Sequence, residues 1–261
     1  MLSDMNGVRD GSDNAVRREE VLDYLKRQTS ASIAEIAARF QVSAMTVRRD
    51  LETLVQAGQV IRIPSGAMVA PTTALEKTFT ERQRRMADAK HRIGKAAAEL
   101  ILEGQAVVLD SGTTTLQIAS QLRRRKNLVV FTFSLAVLEE LMNNESVRVE
   151  LTGGVYRHSS HDLIGNAVAE SLAGIHADKI FFGAATVSFS HGVMVYDPEY
   201  QRALLESGKE RVLVVDSSKI GAEAIRTFCP IKKCDLIITD SGVKPSHLKQ
   251  LEKITRVLVA E

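Results

Sequence analysis

The 261 residues contain two cysteines, Cys229 and Cys234. That is too few for a disulfide framework, and it points to a reducing, cytoplasmic compartment. No uninterrupted apolar stretch approaches the roughly 20 residues that a membrane-spanning helix needs. The opening residues, Met1 to Asn14, are polar and lack the apolar centre of a secretory signal. An excess of one charge is missing too. Thirty-four Lys and Arg against 32 Asp and Glu leave +2, so bulk charge selects no partner. The chain has no internal repeat and no low-complexity segment, and nothing in it resembles a Walker loop, a nucleophile elbow or a zincin helix. What remains is an ordinary globular mixture, 44% hydrophobic and 25% charged, long enough for two modest domains.

The pattern changes character near residue 70, across the turn-rich stretches Pro64-Ser65-Gly66 and Ala70-Pro71-Thr72-Thr73. Before it, Val21, Leu22 and Leu25 recur at helical spacing within Val16–Gln28. Ser32 stands three residues before Glu35 as a capping box. Ile33, Ile36, Ala37 and Phe40 share a face of the short helix that follows. Ser43 caps a third helix, which turns Val47, Leu51 and Leu54 inward and stops at Gly58. Val60–Ile63 and Ala67–Val69 read as a hairpin, giving a winged helix-turn-helix. After the boundary, a helix capped by Asp88 and stopped by Gly104 precedes apolar runs. These fall at Ala106–Leu109, Leu128–Phe131, Val147–Leu151, Ile180–Phe182, Val212–Val215, Leu236–Thr239 and Arg256–Val259. Helical stretches at Thr115–Leu122, Leu135–Met142, Ala167–Ala173 and Glu199–Ser207 separate several of them. Such alternation predicts a mainly parallel sheet. The expected division is a flexible start over 1–14, a winged helix-turn-helix over 15–70, a linker over 71–87 and a larger α/β domain over 88–261.

In a helix-turn-helix the second helix of the pair enters the major groove and its early residues meet base edges. Here those positions are Ser43, Met45, Thr46, Arg48 and Arg49, with Arg62 on the wing. Arginine can pair bidentately with guanine, and hydroxyls can anchor phosphates. The bland alternative is a solvated face balanced by Asp50 and Glu52.

In the larger domain, Asp110-Ser111-Gly112-Thr113-Thr114-Thr115 ends a strand and opens a helix, where free amides favour an anion. Gly112 permits close approach and the hydroxyls add donors. Thr132 and Ser134, Gly153 and Gly154, and Lys219 follow other strand ends at the edge where α/β sheets keep ligands. Ser134 as a helix cap and Lys219 as a surface charge are the plain alternatives.

At this point the chain resembles the DeoR family of bacterial transcriptional regulators. Val42-Ser43 followed by Thr46-Val47-Arg48-Arg49-Asp50-Leu51 carries every element of that family's V-S-x-x-T-[IV]-R-R-D-L signature. The resemblance extends through Asp110–Thr114, Gly153-Gly154, Gly165, Asp216-Ser217-Ser218-Lys219 and Ile238-Thr239-Asp240. It implies an effector domain similar in fold to ribose-5-phosphate isomerase that binds phosphorylated sugars or related metabolites. Three departures stand out. The wing reads Arg62-Ile63-Pro64-Ser65-Gly66-Ala67 where R-x-H-G-G-A is common. Phe133 occupies the centre of a usual T-N-S, and Gln201 stands where E-A-x-V-K ends in lysine. The last two leave open a sensor of a non-phosphorylated or unusual sugar derivative. A phosphosugar isomerase needs carboxylates for proton transfer. The segment that would hold them, Phe182-Gly183-Ala184-Ala185-Thr186-Val187-Ser188, has none.

The expectation is a repressor of a carbohydrate-use operon, not an enzyme. It would bind double-stranded operator DNA as a homodimer or homotetramer, since a single recognition helix reads too little DNA. A sugar phosphate would release it, and neither a metal nor another cofactor is expected. His158, His161 and Asp162 lack a companion ligand pair. Arg82, Arg84, Arg85, Lys90, Arg92 and Lys95 form a basic run, read as a solvated face or a phosphate contact.

Overall fold

The computed structural model describes residues 7–28, 30–56, 60–63, 66–69, 78–196, 200–222, 224 and 226–261. The chain divides into two compact units, one up to Glu76 and the other from Lys77. Gly58, the turn at Pro64-Ser65, residues 70–77 and Asp197–Glu199 lie outside the described residues, as does the side chain of Gln201.

The smaller unit runs α1 (Gly7–Gln28), β1 (Ser30–Ser32), α2 (Ile33–Phe40), α3 (Ala44–Gln56), β2 (Val60–Ile63) and β3 (Gly66–Val69). Ser32 and Glu35 form the reciprocal cap, the Ser32 amide donating to Glu35 at 2.7 Å and the Glu35 amide to Ser32 at 3.1 Å. Gln41 takes the left-handed conformation, φ 53°, which ends α2 and turns the chain into α3. Val21, Leu25, Ile36, Val47, Leu51 and Leu54 close the core. The strands pair antiparallel in the order β1-β3-β2. Strand β1 joins the wing because β3 begins with Gly66, where any Cβ would sit 2.1 Å from the Ala31 carbonyl oxygen.

The helix α1 starts at Gly7, inside the segment expected to be a flexible start. Apolar periodicity marks only the part of a helix that packs. Once that part is nucleated, a polar extension propagates without a periodic signal.

The larger unit opens with α4 (Phe79–Arg84) and α5 (Ala87–Glu99). The second half of the expected linker is therefore structured. Thr78 and Glu81 form a capping box, and Phe79 is buried against Leu116 and Ala136. Asp88 sits in the first turn of α5 and does not cap it; Met86 holds that position at φ 53°. The helix ends at Glu99, earlier than Glu103. Next come β4 (Ala106–Leu109), α6 (Thr113–Leu122), β5 (Leu128–Thr132), α7 (Leu135–Leu141) and β6 (Val147–Leu151). A hairpin, β7 (Val155–Arg157) and β8 (Asp162–Ile164), leads to α8 (Asn166–Leu172) and β9 (Ala177–Phe182). The chain continues through β10 (Thr186–Ser188), β11 (Gly192–Val195), α9 (Gln201–Glu206), β12 (Gly208–Val214) and β13 (Arg226–Cys229). It finishes with β14 (Leu236–Asp240), α10 (Pro245–Glu252) and β15 (Arg256–Ala260).

All seven apolar runs read from the sequence join one parallel sheet in the order β15-β14-β12-β9-β4-β5-β6. Alternate residues feed opposite cores, as the strand period demands. Val107, Leu109, Val212 and Val214 pack with Ile93, Ile118 and Val137 of α5, α6 and α7. Val108, Ile180, Phe182 and Leu213 pack with Val168, Leu172 and Leu204 on the other face. The strand order reverses between β4 and β9. In open α/β sheets such a reversal, at the carboxyl ends of the strands, is where ligands are taken.

Candidate functional site

Two sites have to be built, one in each unit. In the smaller unit, Ser43 caps α3, its hydroxyl accepting the Thr46 amide at 3.1 Å and lying 2.9 Å from the Thr46 hydroxyl. With Val47, Leu51 and Leu54 buried, helical geometry leaves Met45, Arg48 and Arg49 on the outer face. Met45 keeps 57% of its surface exposed, an uncommon position for so apolar a residue. Asp50 does not balance the arginines. It is buried and accepts from Arg17 of α1 at 2.7 and 3.2 Å. Glu52, exposed on the same helix and four residues from Arg48, is the acid that remains beside that face. Arg62, on β2, is exposed as well.

In the larger unit the strand ends at the point of reversal centre on Asp110, the first residue past β4. Its carboxylate accepts the Ser111 amide at 2.7 Å and the Gly183 amide at 2.9 Å, bridging the loops that diverge after β4 and β9. Burial pushes its pKa up to about 6; the two amide bonds oppose that shift, the charge of Asp162 adds to it, and Arg82 opposes it. Ser111 is tied to Asp162, its hydroxyl donating to the carboxylate at 2.7 Å. Asp162 is fully buried and also accepts from Arg157 at 2.8 and 3.1 Å and from Ser160 at 2.5 Å. Its oxygens are therefore committed to this network, away from His158 and His161, whose rings lie 5.7 Å apart.

Lys219 donates to the Ala184 carbonyl at 2.6 Å, which brings it to the same strand ends. Lys90 of α5 is buried and donates to the carbonyls of Arg82 and Arg85, the latter at 2.6 Å. Burial, and after it the charge of Lys219, pull its pKa down to about 8, while Asp216 acts in the opposite direction. Within the basic run Lys90 is therefore buried on the carbonyls of Arg82 and Arg85, while Arg84, Arg85 and Lys95 stay exposed. Sequence reasoning did not anticipate that Lys90 is buried. The signal it left was its place in α5 between the inward Ala89 and Ile93.

The other anticipated residues divide. Thr113 and Thr114 are buried at the amino terminus of α6. Thr115 is spent on the loop itself, its hydroxyl accepting the Gly112 amide at 2.8 Å and donating to the Asp110 carbonyl at 2.6 Å. Thr132 is buried and donates to the Leu109 carbonyl at 2.8 Å, and Ser134 caps α7 through the Val137 amide at 3.3 Å. Gly153 and Gly154 are exposed. Gly153 donates to Ser171 of α8 at 3.3 Å, and Gly154 takes φ 144° beside the Ile164 carbonyl. Phe133 lies wholly in the core, 4.5 Å from the Tyr200 ring. Tyr200 was not anticipated. Burial, followed by the charges of Asp110 and Asp162, raises its pKa well above the usual value, so its hydroxyl stays protonated beside Ser111.

A helix-turn-helix with outward arginines, followed by an α/β unit with charged groups at its topological switch point, defines the class of ligand-responsive DNA-binding proteins. Residues 17–73 match the DeoR-like helix-turn-helix domain, and residues 85–241 match the DeoR C terminal sensor domain. The chain belongs to the DeoR family of transcriptional regulators. It is 32% identical to the lactose phosphotransferase system repressor of Lactococcus lactis, covering 94% of this chain and 98% of that one. It is 29% identical to the glycerol-3-phosphate regulon repressor of Escherichia coli, over 90% and 94%. Among solved structures, ribose 5-phosphate isomerase A of Methanocaldococcus jannaschii matches 52% of this chain and 55% of its own, at 19% identity and a TM-score of 0.38. No helix among the described residues is long and apolar enough to cross a membrane.

Proposed function

We propose that this protein represses a carbohydrate-use operon and that a phosphorylated sugar, bound at the strand ends of β4 and β9, releases it from its operator. The observation that carries the ligand class is Lys219, which donates to the Ala184 carbonyl beside Gly183, together with Arg82, whose charge acts on Asp110 at the amino terminus of α6. Cations beside a helix amino terminus suit a dianion better than a neutral sugar. Thr113 and Thr114 open that helix, and Ser111, with the protonated Tyr200 hydroxyl beside it, is placed to meet sugar hydroxyls. On the DNA side, Arg48 and Arg49 read base edges, Met45 meets a thymine methyl, and Ser43, Thr46 and Arg62 hold backbone.

No carboxylate follows β9 where isomerase chemistry would need one, which favours a sensor over an enzyme. Release follows from linkage. A ligand that prefers the DNA-free arrangement must lower operator affinity by the factor by which DNA lowers its own. The test is fluorescence anisotropy on the gene's own upstream DNA at fixed salt, with a panel of sugars and sugar phosphates. Relief by a phosphorylated compound alone supports the reading. Relief by free sugars alone replaces it with a sensor of non-phosphorylated ligands.

A further inference from the structure

The parallel sheet ends at β6, which pairs with β5 and, among the described residues, with no other strand. An uncovered edge of this kind is normally guarded, because its outward amides and carbonyls invite another strand. The Thr152 amide donates to the Thr132 carbonyl at 2.9 Å. In a parallel ladder successive residues alternate in direction, so Glu150 and Arg148 also point their backbone groups at β5. Val147, Val149 and Leu151 point theirs outward. The Val147 amide is used by the Asn144 carbonyl at 3.0 Å.

We propose that β6 pairs antiparallel with β6 of a second copy of this chain, about a two-fold axis through Val149. The Val149 amide and carbonyl then bond to the partner's Val149, and the Leu151 amide to the carbonyl of the partner's Val147. The register is selected by charge. Arg148 and Glu150 share one face of the strand, 2.9 Å apart, the arginine exposed and the glutamate partly so. Centred on Val149, the pairing sets Arg148 opposite the partner's Glu150, and the same contact recurs across the axis. Slipping the centre to residue 148 sets arginine against arginine, and slipping it to 150 sets glutamate against glutamate; both are disfavoured.

The charges that guard β6 against other strands therefore accept its own copy. Leu151, still 38% exposed, gains cover against the partner's Val147. The opposite edge, β15, reads Arg256-Val257-Leu258-Val259-Ala260 and has no acid to complement its arginine. Such an isologous contact sets two copies of the chain about one axis.

The test uses the full chain in sedimentation equilibrium, with wild type expected to associate. Arg148→Glu and Glu150→Arg should each halve the assembly and weaken association about tenfold to a hundredfold, since two attractive cross-strand pairs become repulsive. Mixing the two variants in equal amounts should restore the wild-type mass, as should the double exchange R148E/E150R. Arg148 is exposed and Glu150 partly so, and their own ion pair contributes little to folding. As an independent check, oxidised Val149→Cys should cross-link, because hydrogen-bonded antiparallel partners sit about 5.5 Å apart at Cα, within disulfide reach. A monomeric wild type, single variants that keep the wild-type mass, a mixture that stays dissociated, or a Val149→Cys protein that does not cross-link would each overturn the proposal.

Discussion

The α3 face and the strand ends of β4 and β9 solve recognition in opposite ways. On α3 the charges of Arg48 and Arg49 stay in water, while Asp50 is withdrawn to Arg17. In the larger unit Asp110, Asp162 and Lys90 are held out of water, and each makes hydrogen bonds that offset the loss. Exposed charges cost little in the free protein and lose strength with added salt. Buried ones are costly to hold but act at full strength over a short distance. The same residue types therefore do different work according to solvent access.

That contrast breaks most sharply at Asp162. Asp162→Ala leaves Arg157 without its buried partner and should destabilise the larger unit by about 3–5 kcal/mol, read as a lower urea midpoint. A change below about 1 kcal/mol would mean that water already reaches the pair. Next in size, Lys219→Met should weaken sugar-phosphate binding roughly tenfold to a hundredfold in calorimetry while operator affinity holds, since a charge-assisted bond is lost. A parallel loss of operator binding would erase the separation of the two sites. Arg48→Ala and Arg49→Ala should each cost about 1–3 kcal/mol of operator affinity and flatten preference at one base position. Thermal stability should hold within about 0.5 kcal/mol, because neither side chain is packed.

The smallest effect concerns pH. Asp110, raised to about 6, gains its negative charge as pH rises past that value, and Lys90, lowered to about 8, loses its positive charge above it. Both changes disfavour an anion, so sulfate, which does not titrate there, should bind less well in two steps between pH 5 and 9. Each step should be roughly fivefold, taking about 1 kcal/mol per charge. A flat profile would place the anion elsewhere.

The outward arginines of α3 were legible because an amphipathic helix of known phase assigns its faces from inward residues alone. The Asp110–Thr115 loop was legible as a strand end opening a helix. The hairpin β7–β8 and the small sheet of β10, β11 and β13 were not, since strands of three or four residues are too short to establish a period. Lys90 and Tyr200 were missed for another reason. A lysine in a basic run and a tyrosine among loop residues carry no local mark of burial, which depends on what packs over them.

The sequence alone determined the two-unit division, the seven parallel strands and the face of α3, because periodicity and capping chemistry are local properties of the chain. Tertiary structure alone decided that Asp50 withdraws to Arg17 and that Asp110 bridges to Gly183, 73 residues away. It also decided that Thr115, Thr132 and Ser134 serve the backbone, and that β6 lies at an edge. Strand order and burial arise from contacts between distant segments, and those contacts set which charges leave water and so which groups shift.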